Sequence, residues 1–139
     1  MDRRDFLLRS LAAGALCGAL AGCGGARYVT AERLGSRLVV RKAAFGERDF
    51  VLLENPQLPR AIFVHRVGPD AYTALLTRCT HRGCQAEPAG DRLACPCHGS
   101  EYAFDGSVLQ GPAERALYRY RITTDAEHVY IELPDPATL

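Results

Sequence analysis

Long apolar runs are missing from this chain. The longest, Leu11 to Gly22, is about a dozen residues, short of the roughly 18–20 that cross a bilayer as a helix. An excess of one charge is missing too. Lys plus Arg number 17 against 16 Asp plus Glu, a formal net charge of +1, and no dense basic stretch stands out. That balance gives no support to a nucleic-acid partner. Trp is absent and Met occurs once, which constrains little. No convincing amphipathic helix follows the first 25 residues. There is no internal repeat, no dinucleotide motif, no nucleophile–base pair and no mononuclear iron site. A self-sufficient enzyme is therefore not what the sequence describes.

What remains is turn-rich. The 139 residues hold 13 Gly and 8 Pro, most of them between short apolar runs, and this length suits one domain with a real core. Runs at Leu38–Arg41, Phe50–Leu53, Ile62–Arg66 and Tyr72–Leu76 read as strands, bounded by turn signals such as Asn55-Pro56 and Gly68-Pro69-Asp70. Tyr118, Tyr120 and Ile122 alternate with Arg119 and Arg121, and Val129, Ile131 and Leu133 alternate with Tyr130 and Glu132, the period-two pattern of half-buried strands. Phe104-Asp105-Gly106 reads as a strand end entering a tight turn. The expected fold is all-β, an antiparallel sandwich or small barrel over residues 37–135, since a single open sheet would leave its edges bare. Residues 26–36 read as a tether.

Residues 1–25 read as a targeting segment. Arg3-Arg4 before a modest apolar stretch resembles a twin-arginine export signal, and Leu20-Ala21-Gly22-Cys23 resembles a bacterial lipobox, in which Cys23 carries the lipid. An uncleaved membrane anchor is the alternative. The expected location is the periplasmic side, attached to membrane through that lipid.

Chemistry concentrates in two boxes, Cys79-Thr80-His81-Arg82-Gly83-Cys84 and Cys95-Pro96-Cys97-His98-Gly99-Ser100, inside an insert spanning 79–112. Thiolate and imidazole at such spacing bind metal. The first box offers Cys79 and His81. In the second, Cys95 and His98 have a Cys-x-x-His spacing, while Cys97 and His98 are adjacent, and neighbours rarely aim at adjoining ligand positions. Of the six cysteines, Cys17 lies in the signal and Cys23 takes lipid. Four remain, enough for two ligands and one disulfide in an oxidising compartment. Zinc is the plain alternative, but the two boxes together are far more specific than a generic zinc pair.

Both boxes resemble those of Rieske [2Fe–2S] proteins of quinol-oxidising complexes. The resemblance covers roughly Leu75 to Pro112. It implies that Cys79 and Cys95 bind one iron, that His81 and His98 bind the other, and that Cys84 and Cys97 form a disulfide between the loops. It places Ser100 and Tyr102 where high-potential members put hydrogen-bond donors that raise the potential. Gly111-Pro112-Ala113 resembles the start of the family's proline loop. The implied function is one-electron transfer by a redox subunit. Expected partners are cytochrome b- or c-type proteins with quinol, or a molybdenum-bearing subunit as in arsenite oxidase; a free-standing lipoprotein carrier is a third setting. Arg82 departs from the family, which usually has an apolar Leu there, and the spacer between the boxes is slightly short, with Pro88-Ala89-Gly90-Asp91 as its turn. His65 and His128 lie outside the boxes and are expected to be packed or surface residues.

Overall fold

The structure, a computed structural model, describes residues 25–135. The twin-arginine pair, Cys17 and Cys23 lie outside the described residues. Twelve strands occur among the described residues: β1 (Tyr28–Thr30), β2 (Glu32–Leu34), β3 (Arg37–Arg41), β4 (Phe50–Glu54), β5 (Ile62–Arg66), β6 (Tyr72–Leu76), β7 (Glu87–Ala89), β8 (Arg92–Ala94), β9 (Glu101–Ala103), β10 (Val108–Gln110), β11 (Arg121–Thr124) and β12 (His128–Glu132). A 3-10 turn covers Lys42–Phe45.

The strands form three sheets, ordered β1-β4-β5-β6, β11-β12-β3-β2 and β10-β9-β8-β7. Every pairing is antiparallel except β1 with β4. The first two sheets close into a small barrel because the chain changes sheet at two corners. Residues 118–120 lie along β6, with Leu76 N–H donating to the Tyr118 carbonyl and Tyr120 N–H to the Ala74 carbonyl, both at 2.9 Å; the chain then continues as β11 beside β12. At the other corner Ala31 joins β1 to β2 and donates to the Glu54 carbonyl at 3.0 Å. Closure removes the open edges that either sheet alone would expose.

Burial follows the side-chain alternation of the strands. Leu38 and Val40 of β3, Val51 and Leu53 of β4, Ile62 and Val64 of β5, Ala74 and Leu76 of β6, and Val129 and Ile131 of β12 fill the barrel. The other face of β4–β6 is also covered. Leu52, Phe63 and Leu75 point outward into a second apolar cluster with Leu93, Tyr102, Ala113 and Leu117. The third sheet packs there. This is why β4–β6 read as unbroken apolar runs while β12 alternates: the former are buried on both faces and the latter on one.

Two expectations are corrected. Residues 26–36 do not hang as a tether; β1 and β2 pair there with β4 and β3. The Tyr118–Ile122 alternation keeps to one face, with the Tyr118 and Tyr120 rings 4.9 Å apart and Tyr120 and Ile122 both against the barrel core, but it is not one strand. Residues 118–120 lie on β6 and the strand proper begins at Arg121, with Tyr120 buried and Tyr118 exposed beside it. The turn after Phe104 is present. Gly106 has φ +93° and its amide donates to the Ala103 carbonyl at 2.9 Å. The spacer turn is tighter than Pro88–Asp91, since Pro88 lies in β7 and only Gly90-Asp91 separates β7 from β8.

Candidate metal centre

The two boxes fold into matching loops. Cys79 N–H donates to the Cys84 carbonyl at 2.7 Å and Gly83 N–H back to the Cys79 carbonyl at 2.8 Å. In the second loop Cys95 N–H donates to the Ser100 carbonyl at 2.8 Å and Gly99 N–H to the Cys95 carbonyl at 3.1 Å. The fifth residue of each loop needs a left-handed backbone, with φ +81° at Gly83 and +82° at Gly99, and Gly supplies it without strain. The first loop leaves β6 through buried Thr77, whose hydroxyl and amide both donate to the Ala61 carbonyl. The second spans β8 and β9, paired through Ala94 and Glu101. Rigid strands thus set the mouth of each loop.

A disulfide between Cys84 and Cys97, with their Cα atoms 6.5 Å apart, ties the loops together. The Cys84, Cys95 and Cys97 sulfurs lie within 4.8 Å of one another. Since two of the three are bonded to each other, Cys95 is the free thiol of that group. Cys79 is the other free thiol among the described residues, and both are buried. His81 and His98 meet edge to face, with ring centroids 4.8 Å apart. The His81 Nδ1 is buried without a hydrogen-bond partner. His65 packs instead between Phe63 and Phe104, and His128 sits beside Asp125; neither approaches the loops.

The surroundings of Cys79 favour a thiolate. Burial works against its charge, but hydrogen bonds from the Tyr102 hydroxyl, the His81 amide and the neighbouring Cys95 and Ser100 outweigh it and hold the thiol below its ordinary value. Cys95 moves the other way, pushed up by burial and by the adjacent Cys79. Two adjoining buried thiols that cannot both ionise alone, two facing imidazoles and an unpartnered ring nitrogen make a donor set that a cation would satisfy. Thiolate and imidazole are the ligands of a Rieske centre, so the residues fit that group.

Tyr102 is fully buried. Its oxygen lies 3.2 Å from Cys79 Sγ and accepts the Thr80 amide at 3.1 Å. Burial and the Cys79 hydrogen bond push the phenol up, so it stays a neutral donor. Ser100 is also fully buried, and its Oγ accepts the Ala113 amide at 3.0 Å. That bond fixes the segment after Pro112 over the second loop. Thr80 was not singled out from sequence. Its hydroxyl donates to the Arg115 carbonyl at 2.7 Å, joining the first loop to the same segment; no short motif announces a contact to a backbone group so far along the chain.

Residues 27–121 match the family model described as the Rieske [2Fe-2S] domain. The chain is 35% identical over 113 residues to the cytochrome b6-f complex iron-sulfur subunit of Synechococcus sp. (strain JA-2-3B'a(2-13)), covering 78% of this chain and 66% of that protein. It is also 35% identical over 63 residues to the corresponding subunit of Chlorobaculum tepidum, covering 44% of this chain and 35% of that protein. The chain therefore spans at most about two thirds of these relatives. Among solved structures, the cyanobacterial plasma membrane Rieske protein from Synechocystis PCC 6803 superposes with a TM-score of 0.57 at 27% identity, over 67% of this chain and 98% of that one. The shared β architecture, the paired loops and the match over residues 27–121 lead to one conclusion: the chain belongs to the Rieske [2Fe-2S] domain family.

Proposed function

We propose that this protein transfers single electrons as the iron–sulfur subunit of a quinol-oxidising respiratory complex. The observation that carries the reading is the convergence of Cys79, Cys95, His81 and His98 on two matching loops bound by the Cys84–Cys97 disulfide. Cys79 and Cys95 would hold one iron and His81 and His98 the other. When bound, the cluster supplies a one-electron couple, and the Rieske class as a whole spans roughly −150 to +300 mV, against about −400 mV for plant-type all-cysteine clusters. The chain's own residues do the rest. Neutral imidazoles in place of two thiolates leave less negative charge. Tyr102 and Ser100 offer hydroxyls beside the Cys79 sulfur, and donors of this kind favour the more negative, reduced state. Both residues are fully buried, so water does not compete for these hydroxyls. A potential in the upper part of the class range follows.

Similarity to cytochrome b6-f iron-sulfur subunits supports the quinol setting. Arg3-Arg4 and the apolar run ending at Cys23 support export with the cluster already folded in and attachment through lipid on the periplasmic side. Among the described residues no helix is long and apolar enough to cross a membrane. A second reading rests on Arg82, exposed beside His81, where quinol-docking relatives usually carry Leu. It makes the chain the small subunit of an exported molybdenum oxidoreductase, or a free-standing lipoprotein carrier.

The test is electron paramagnetic resonance of the reduced protein, followed by a redox titration. The expected result is the signal of a mixed-ligand [2Fe–2S] centre with a positive potential. A colourless, iron-free protein with zinc in the site would overturn the reading.

A further inference from the structure

The first ligand loop is flanked by four arginines that form no ion pair among the described residues. Arg82 stands next to His81 and is exposed. Arg60 donates from Nε to the Gly83 carbonyl at 3.2 Å. Arg78 lies against the same glycine, its Nε 3.3 Å from where a Cβ would stand. Arg115 is held against the loop by the bond from Thr80 to its carbonyl. All four are exposed. Among the described residues the ion pairs involve Arg37, Lys42, Arg92 and His128 instead. Glu114 is the only acidic residue in sequence between Ser107 and Tyr120, and it forms no ion pair among those described.

This placement is not explained by stability. Four like charges around one loop repel each other, and exposed arginines without ion-pair partners add little to folding. Nor does it follow from net charge, which is only +1 for the whole chain. The positive charge is collected where an electron must leave or enter, because transfer falls off steeply with distance and a partner must land on the ligand loops. Guanidinium groups suit carboxylates in particular, binding them through paired N–H donors.

We propose that Arg60, Arg78, Arg82 and Arg115 form a docking collar for a soluble redox protein whose contact face is lined with carboxylates. This rests on the electron-transfer reading above and adds the charge and kind of its partner. The collar steers the encounter and orients the acidic face over His81, and salt weakens it. Arg82 is the central contact, since it adjoins a proposed ligand and has no hydrogen bond of its own among those found.

The probe is poly-L-glutamate, titrated calorimetrically into the purified holoprotein at low salt. Binding is expected, and it should weaken about tenfold in Arg82→Gln combined with Arg115→Gln, a loss of about 1.4 kcal/mol. Arg41→Gln, which removes one charge from the sheet that bears no ligand loop, should bind as the parent does. Arg82→Gln alone serves if the double variant folds poorly, with a smaller loss in the same direction. Raising salt from about 10 mM to about 150 mM shortens the screening length from about 30 Å to about 8 Å and should abolish the difference. Equal binding by parent and double variant overturns the proposal. So does a parent protein that ignores poly-L-glutamate but sediments with phosphatidylglycerol vesicles, since the arginines would then face lipid. Paramagnetic resonance of the same reduced samples separates the two readings: an intact cluster signal with no glutamate binding removes the collar and leaves electron transfer standing.

Discussion

The Tyr102 hydroxyl lies 3.2 Å from the Cys79 sulfur and also 3.2 Å from Thr80 Oγ1. The proton can be placed by elimination. The Thr80 amide donates into the Tyr102 oxygen, and the Thr80 hydroxyl proton is spent on the Arg115 carbonyl. The single phenolic proton is left with two acceptors, of which the thiolate is charged and therefore stronger. Tyr102→Phe removes that donor, together with the acceptor of the half-buried Thr80 amide, and leaves the ring in place. If the bond favours the reduced state by about 1 kcal/mol, the potential should fall by about 40 mV. Protein-film voltammetry of the variant measures this, and an unchanged potential would take the tuning role away from Tyr102.

Ser100→Ala tests a structural bond as well as a tuning one. Its Oγ is the acceptor for the Ala113 amide, and the pair is buried. Alanine leaves that N–H without a partner, which costs about 1–3 kcal/mol. Thermal unfolding should shift down by several degrees, by more than in Tyr102→Phe, because the Ala113 amide is buried whereas the Thr80 amide that Tyr102→Phe strands is only partly so. An unshifted transition would mean that water reaches the Ala113 amide.

The two Cys/His boxes and the loops they form were legible because metal chemistry needs particular side chains at short spacing, and both boxes are local in sequence. The barrel was legible in part. Leu52, Phe63 and Leu75 betray burial on both faces by breaking the alternation of β4–β6, yet they do not say what covers the outer face. β1 and β2 were missed because they are three residues each, mostly exposed, and held by backbone pairing that leaves no side-chain pattern. The Tyr118–Ile122 pattern marks the shared face but hides the change of sheet, because period two persists while the chain passes from one sheet to the next. The pairing of Cys84 with Cys97 came from family resemblance, since spacing alone left the partners open. The Arg82 environment was invisible until Arg60, Arg78 and Arg115 were brought to the same loop.

Gly106 should be the least replaceable turn glycine. It has φ +93°, and an added Cβ would stand 2.9 Å from Leu75 Cδ2 and 3.5 Å from the Leu117 carbonyl. Leu75 and Leu117 belong to the cluster that joins insert and barrel. Gly106→Ala therefore combines left-handed backbone strain of about 1–2 kcal/mol with a clash. Gly90→Ala meets the strain alone, since nothing lies within 4 Å of its Cβ position. Denaturant midpoints should fall further for Gly106→Ala than for Gly90→Ala; equal midpoints would show that Leu75 yields without penalty.

The Cys84–Cys97 bridge closes a short loop, with a sequence separation of 13 residues. On chain-entropy grounds such a cross-link stabilises by about 3 kcal/mol. Its loss should fall mainly on the ligand loops, because β4–β6 hold the barrel without it. Cys84→Ser with Cys97→Ser should keep the barrel's circular dichroism and lose iron on dilution faster than the parent, as read by visible absorbance. Retention of iron at the parent's rate would show that the loops are held by the strands alone.

Acid stability depends on a carboxylate remote from the metal loops. Asp125 turns the chain between β11 and β12. It accepts the Tyr130 hydroxyl at 2.6 Å, the Glu127 amide at 2.8 Å and the His128 amide at 2.7 Å. These bonds, the Tyr130 hydroxyl foremost, hold its carboxyl well below the usual range. A depressed folded-state value means that the unfolded chain takes up the proton first as pH falls. The contribution is therefore whole above about pH 4, where the unfolded carboxyl is ionised, and drains away below it. Tyr130→Phe removes the largest of the three bonds and raises the folded value toward the unfolded one. Its acid-unfolding midpoint, followed by far-ultraviolet circular dichroism, should move to higher pH while stability at pH 7 also drops. A variant that loses stability equally at every pH would show that Tyr130 acts by packing against Arg37 and not through the Asp125 carboxylate.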